Sequence, residues 1–148
     1  MNSINGLFSN KILGVAILSW FVAQLLKFII TLIQERRIDF GKFIASGGMP
    51  SSHSSFVTAL AVAVGHVNGF DSSYFAIAAV LSFIVMYDAA NVRLQAGKQA
   101  AKINQIIQVL EDPNLNPEQR LKEILGHTPI QVVAGGILGI IIGILGFM

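Results

Sequence analysis

Apolar residues run almost unbroken from Ile12 to Ile33, and at roughly 20 residues per membrane span this run predicts a first transmembrane helix over 12–33. Gln24, Lys27 and Thr31 interrupt it at helical spacing and therefore share one face. A charged lysine at membrane depth is costly, which turns that face toward the protein interior. The alternative is that Lys27, in the last third of the run, snorkels to the interface. A shorter apolar stretch predicts a second span over 54–67, and a turn at 68–72 feeds a third over 74–91. Helix-forming sequence with few breakers then continues to about Leu110. Along it Asp88, Asn91, Gln95, Lys98, Lys102 and Gln105 recur at steps of three and four, the polar stripe of a helix running out into solvent. Asp88 lies close to membrane depth and requires a partner, either Lys27 or an arginine.

The segment from Glu111 to Pro117 is rich in breakers, and Asn116 with Pro117 predicts the start of a short helix ending near Gly126. Thr128, Pro129 and Gln131 fit a capping box with proline at the first helical position, so a fourth span is expected over 130–148. Within it Gly135, Gly139 and Gly143 form a stripe of small residues suited to close helix packing, inside the fold or across a dimer.

With 53% hydrophobic and only 12% charged residues, the composition matches this pattern and departs from that of a soluble domain. The expected architecture is an all-α membrane helical bundle of about four transmembrane helices with a cytoplasmic helical extension, as a single domain over 1–148. The first run is too long for a signal-peptide core and lacks a convincing cleavage site, so it reads as a retained span. Ten Lys and Arg against eight Asp and Glu leave a charge of +2, too small an excess to point to nucleic acid. The absence of cysteine excludes disulfides and thiolate catalysis.

Charge distribution orients the bundle. Four spans place the connectors 34–53 and 92–128 on one side, where Arg36, Arg37, Lys42, Arg93, Lys98, Lys102, Arg120 and Lys122 all lie, while Lys11 lies opposite. By the positive-inside rule the connector side is the cytoplasm.

The candidate chemistry sits on that same side. Gly47-Gly48-Met49-Pro50-Ser51-Ser52-His53-Ser54-Ser55 is a small polar loop between two greasy segments. Glycines let backbone approach a ligand closely, and serines with free amides ahead of a helix can surround an anion. Alone, a Ser-Ser-His sequence reads as a serine helix cap. His53 at the start of the second span, Asp88 and Arg93 at the end of the third, and His127 before the fourth would nevertheless converge at one interface, as a charge-compensated anion site.

Three segments carry a family resemblance: Gly47-Gly48-Met49-Pro50-Ser51-Ser52-His53-Ser54; Tyr87-Asp88-Ala89-Ala90-Asn91-Val92-Arg93 with Ala96-Gly97-Lys98-Gln99-Ala100; and Leu121-Lys122-Glu123-Ile124-Leu125-Gly126-His127-Thr128-Pro129. Over most of its length the chain resembles the membrane-bound type 2 phosphatidic acid phosphatases related to vanadium haloperoxidases, most closely their divergent bacterial and plastid branch. The resemblance implies that His127 attacks phosphorus and that His53 protonates the leaving group. Ser51 and Ser52 match the phosphate loop, and Lys27, Arg36, Arg37, Arg93, Lys98 and Lys122 are the candidate phosphate contacts. Asp88 and Gln131 are structural polar positions.

The chain departs from the parent pattern in that Ser52 replaces the loop glycine, the first basic motif is not recognisable, and no arginine stands at the usual offset before His127. Gln131 stands where the parent family orients its nucleophile with aspartate; Glu123, four residues before His127, is the candidate substitute. The parent core has six spans, so four are either a trimmed bundle or half of a homodimeric site. The implied function is a lipid phosphate phosphatase of the bacterial cell membrane, acting at the cytoplasmic face through a phosphohistidine, with neither metal nor cofactor. The alternative is a non-catalytic membrane protein that binds lipid phosphate or serves as an assembly partner.

Overall fold

A computed structural model of the protein describes residue 6 and residues 8–35, 48–109, 121 and 126–148. Among these residues all the regular secondary structure is helical: α1 (Lys11–Glu35), α2 (Ser52–Asn68), α3 (Ser73–Tyr87), a π-helical stretch (Asp88–Val92), α4 (Arg93–Val109) and α5 (Pro129–Leu145). The α3, π and α4 segments follow without a break, so the expected long third helix is present, with a wider turn inside it that the sequence pattern did not reveal. The short helix expected to end near Gly126 falls mostly outside the described residues.

Each helix start has a local cause. Asn10 Oδ1 accepts from Leu13 N at 3.1 Å ahead of α1, Ser51 Oγ from Ser54 N at 3.3 Å ahead of α2, and Ser72 Oγ from Phe75 N at 3.2 Å ahead of α3. The capping box expected at Thr128 and Gln131 is formed, with Pro129 in the first turn of α5. Gly69 ends α2 at a φ of 92°, a conformation that glycine adopts without strain.

The distribution of residue sizes is that of a membrane protein. Among the described residues the fully buried side chains of largest volume are serines, Ser19, Ser51, Ser52, Ser54 and Ser55, while Phe21, Ile77, Phe83 and Ile137 are exposed. Water would not tolerate so much contiguous apolar surface, but lipid does. Among the described residues two helices are long and apolar enough to cross a bilayer, Lys11–Ile33 and Ser73–Ile107; α5 is apolar but shorter.

Helix α2 is the centre of the bundle, packing against α1, α3 and α5, and α1 also meets α5. Hydroxyl groups join it to two neighbours. Ser19 Oγ and Ser55 Oγ lie 2.6 Å apart between α1 and α2, and Ser82 Oγ of α3 donates to the Val57 carbonyl at 2.7 Å. Without competing water, such bonds hold helices whose apolar faces have no preference for one another over lipid.

Helix α5 is joined by the glycine stripe. A Cβ at Gly135 would meet the Ser51 carbonyl oxygen, one at Gly139 the Ser55 carbonyl oxygen, and one at Gly143 the Val62 Cβ at 2.7 Å. The stripe therefore closes the fold upon itself. Gly139→Leu should drive α5 off α2 and lower stability by about 1–3 kcal/mol or more, the usual cost of overpacking. Thermal unfolding in detergent measures this, and a midpoint equal to wild type would mean that the helices are not in backbone contact.

Candidate active site

The geometry of α2 and α5 sets two histidines side by side. Gln131, in the first turn of α5, accepts Ser51 N–H at its backbone carbonyl at 3.0 Å, tying the start of α5 to the start of α2. His127 lies just before α5 and His53 just inside α2, and their rings stand 6.4 Å apart between centroids, inclined by 58°. His127 is 2% exposed, while His53 is exposed at the mouth of the site. The chain reaches this position by passing close over α4: Gly126 has φ +154°, and a Cβ there would sit 2.6 Å from Leu94 N. His127 N–H then donates to the Ala89 carbonyl of the π-helical stretch at 3.0 Å.

Asp88 has the arginine partner that its depth required. Arg93 Nε donates to Asp88 Oδ2 at 2.6 Å. In an α-helix residues five apart point about 140° away from each other, whereas the π-helical turn brings i and i+5 into line. The widened turn is what allows the pair to form within one helix. His53, Val85, Asp88, Ala89, Arg93, Gly126 and His127 line a small cleft of about 20 Å³.

Lys27 does not snorkel. It is 3% exposed, and its methylenes lie alongside Gly48, where a Cβ would come within 3.2 Å of Lys27 Cγ. Gln24, one turn earlier on α1, is also buried, and its Oε1 has no hydrogen-bond partner among the described residues. The polar face read on the first helix is thus an interior face. Ser51 Oγ accepts from Ser54 N–H and, at 2.9 Å, from Ser54 Oγ, so its hydroxyl serves the helix cap. Ser52 is buried. Lys98 is exposed on α4 and does not line the cleft. Arg36, Arg37, Lys122 and Glu123 lie outside the described residues.

Gln131 does more than its capping role required. Its Oε1 accepts Thr128 N–H at 3.1 Å and lies 3.2 Å from His127 Nδ1. A backbone N–H can only donate, so the amide atom facing Thr128 is the oxygen; that oxygen can only accept, so Nδ1 must carry a proton. The contact with Gln131 thus favours the Nδ1–H form of the neutral ring. Burial lowers the His127 pKa from its ordinary value, and the charges of Lys27 and His53 act in the same direction. The hydrogen bonds with Gln131 and with the Gly48 backbone pull the other way. The outcome is an imidazole that stays neutral below the usual histidine range.

The fold and cleft define a membrane-embedded helical bundle with a two-histidine polar site at one end. The chain belongs to the divergent PAP2 family, whose sequence profile matches residues 8–142. It is 40% identical over 131 residues to the uncharacterized membrane protein YuiD of Bacillus subtilis (strain 168), an alignment covering 81% of this chain and 83% of that protein. No solved structure matches the chain significantly.

Nitrogen NMR of labelled His127 should show the Nδ1–H tautomer and a titration midpoint below the free histidine value of about 6.5. Gln131→Glu should raise that midpoint by placing a carboxylate beside the ring. Gln131→Leu should lower it further by removing the acceptor, and should cost about 1 kcal/mol through the lost cap. A midpoint that responds to neither substitution would show that the Gln131 amide does not control the ring.

Proposed function

We propose that this protein is a lipid phosphate phosphatase, working without a metal through phospho-His127, with its site at the cytoplasmic face of the membrane. The observation that carries the reading is the contact of buried His127 Nδ1 with Gln131 Oε1 at 3.2 Å, beside a second histidine: an imidazole that holds its proton on Nδ1 offers Nε2 as the nucleophile. The two rings stand 6.4 Å apart between centroids and line the same small cleft.

In the first step His127 Nε2 bonds to phosphorus, the bond from phosphorus to the ester oxygen breaks, and the departing alkoxide takes a proton from the His53 imidazolium. In the second, neutral His53 accepts a proton from water as the water oxygen attacks phosphorus. The P–N bond breaks, returning His127 and releasing inorganic phosphate. Arg93 and Lys27 supply positive charge for the phosphoryl oxygens. Arg93 is bound to Asp88 only through Nε among the described contacts, and its guanidinium has further N–H donors. A head group at the interface reaches these helix ends without leaving the bilayer, which favours a lipid substrate over a soluble one. The cytoplasmic orientation rests on the excess of Lys and Arg in the connectors.

Purified protein given a panel of lipid phosphates should release inorganic phosphate in the presence of a chelator and form an acid-labile phosphoenzyme. His127→Ala should abolish that intermediate, while His53→Ala should slow its formation by a factor on the order of 100 or more. Vanadate should inhibit, because its five-coordinate imidazole adduct resembles the transition state. Full activity in His127→Ala would refute the assignment. A second reading, a non-catalytic lipid phosphate binder, is favoured by the neutral Gln131, and it would be established by binding without release in the folded wild-type protein.

Orientation is tested separately. The chain has no cysteine, so single cysteines at Lys102 and Asp71 report cleanly. Lys102→Cys should be labelled from the cytoplasmic side and Asp71→Cys from the other. Labelling of both from one side would remove the proposed orientation.

A further inference from the structure

The cleft beside the histidines is smaller than a phosphoryl group. At about 20 Å³ it has room for roughly one water molecule. Part of its wall must move to admit phosphate, and most of that wall is fixed. His127 is anchored by its N–H to the Ala89 carbonyl and by Nδ1 to Gln131, Gly126 lies against the backbone of Arg93 and Leu94, and Ala89 is buried within the helix. The part that can yield is the ion pair. The side chains of Arg93 and Asp88 are 54% and 38% exposed, and the contact that joins them runs from Nε to Oδ2 alone.

A phosphate entering beside this pair acts on both members. It attracts the Arg93 guanidinium, whose terminal N–H donors suit phosphoryl oxygens, and its negative charge repels the Asp88 carboxylate. Once Arg93 has turned to the phosphate, Asp88 requires another cation. The cleft wall supplies one in His53, since the other ring, that of His127, is engaged by Gln131. The π-helical turn keeps Asp88 and Arg93 on the same wall as His53, so the carboxylate stays at the cleft whichever partner it holds.

His53 needs that carboxylate. Burial lowers its pKa from the ordinary histidine value, the charges of Arg93 and Lys27 act in the same direction, and the charge of Asp88 opposes them. The first step of the reaction requires the imidazolium. The charged and titratable groups around this ring are Lys27 of α1, Asp88 of the π-helical turn, Arg93 at the head of α4, and His127 ahead of α5.

We propose that Asp88 is a positioning residue that changes partners during the reaction: phosphate draws Arg93 away, and the released carboxylate pairs with His53 and holds it as the imidazolium that protonates the leaving oxygen. The proton comes from solvent as the phosphate binds. It passes to the leaving oxygen when the ester bond breaks, and neutral His53 then serves as base for the attacking water. The inference rests on the reading of the cleft as a phosphatase site. With the site empty Asp88 neutralises Arg93; with the site filled it supports the acid.

Two measurements on the full-length protein in lipid nanodiscs test this. The first follows the His53 ring by nitrogen NMR, with and without hexadecylphosphonate, which has a phosphate-like head group but no ester bond to break. The phosphonate raises the His53 midpoint by its own charge, so the informative quantity is what Asp88→Asn removes. That substitution should lower the midpoint in the phosphonate complex by about one unit more than in the empty protein, where Arg93 already neutralises the carboxylate. An equal lowering in the two states, or none, overturns the proposal. Should Asp88→Asn not fold, the wild-type protein decides: the Arg93 Nε–H signal should move when hexadecylphosphonate is added, and an unmoved signal overturns the exchange.

The second compares leaving groups in a single turnover. Hexadecyl phosphate needs a proton on its departing oxygen, whereas p-nitrophenyl phosphate releases a stable phenolate. Asp88→Asn should slow phosphoenzyme formation about tenfold more with hexadecyl phosphate than with p-nitrophenyl phosphate. It should also move the alkaline limb of the hexadecyl phosphate profile to lower pH, because the imidazolium is lost earlier without its carboxylate. A merely structural role slows both substrates alike and leaves that limb in place, which would overturn the proposal. The two readings fail separately. Partner exchange with hexadecylphosphonate in a protein that forms no phosphoenzyme removes the phosphatase and keeps the exchange, whereas a phosphoenzyme formed with equal losses on both substrates removes the exchange and keeps the phosphatase.

Discussion

Backbone contact between α2 and α5 is the constraint on which the rest of the structure depends. Gly135 and Gly139 lie directly on the carbonyl oxygens of Ser51 and Ser55, an approach that no residue with a Cβ permits. Because His53 starts one of these helices and His127 precedes the other, the closeness of the axes brings the two rings together. The Ser51 N–H bond to the Gln131 carbonyl then fixes the register at the site end. A bundle with bulkier residues on α5 could bury as much surface, yet its histidines would stand further apart.

The interior of this bundle reverses the arrangement of a soluble protein. Small and hydroxylic residues fill the core while large apolar ones face outward, since between lipid and protein the apolar side chain has little preference. Cohesion comes instead from close packing and from hydroxyls that bond neighbouring helices, as Ser19 does with Ser55 and Ser82 with Val57. Burial of Lys27 and Gln24 on α1 belongs to the same arrangement, for their side chains face the protein and not the lipid.

Gln131 explains how the site can depart from the parent pattern and remain chemically coherent. Its amide oxygen caps α5 and fixes the proton of His127 with one atom, so the same interaction that begins the helix selects the ring tautomer. A neutral carbonyl stabilises developing imidazolium charge less than a carboxylate does. It also leaves the ring neutral over a wider range of pH than a carboxylate would. At this position the acceptor beside His127 is therefore a neutral amide where the parent pattern has a charged carboxylate.

Much of this was legible in the chain itself. Hydrophobic runs, the Thr128 to Gln131 cap and the glycine spacing of the last helix depend on neighbours in sequence, and local physics decides them. The convergence of His53, Asp88, Arg93 and His127 at one end followed from alternating the direction of successive helices. The π-helical turn was not legible, because Asp88 and Arg93 are five apart and an ordinary helix would separate them; only packing of the His127 segment against Ala89 and Arg93 shows the widened turn in use. Nor could spacing say that Gly136 differs from its neighbours Gly135 and Gly139, a Cβ at Gly136 meeting the Met86 methyl where theirs would meet α2 backbone. That distinction is made by which helix each one faces, and facing is a property of the assembled bundle alone.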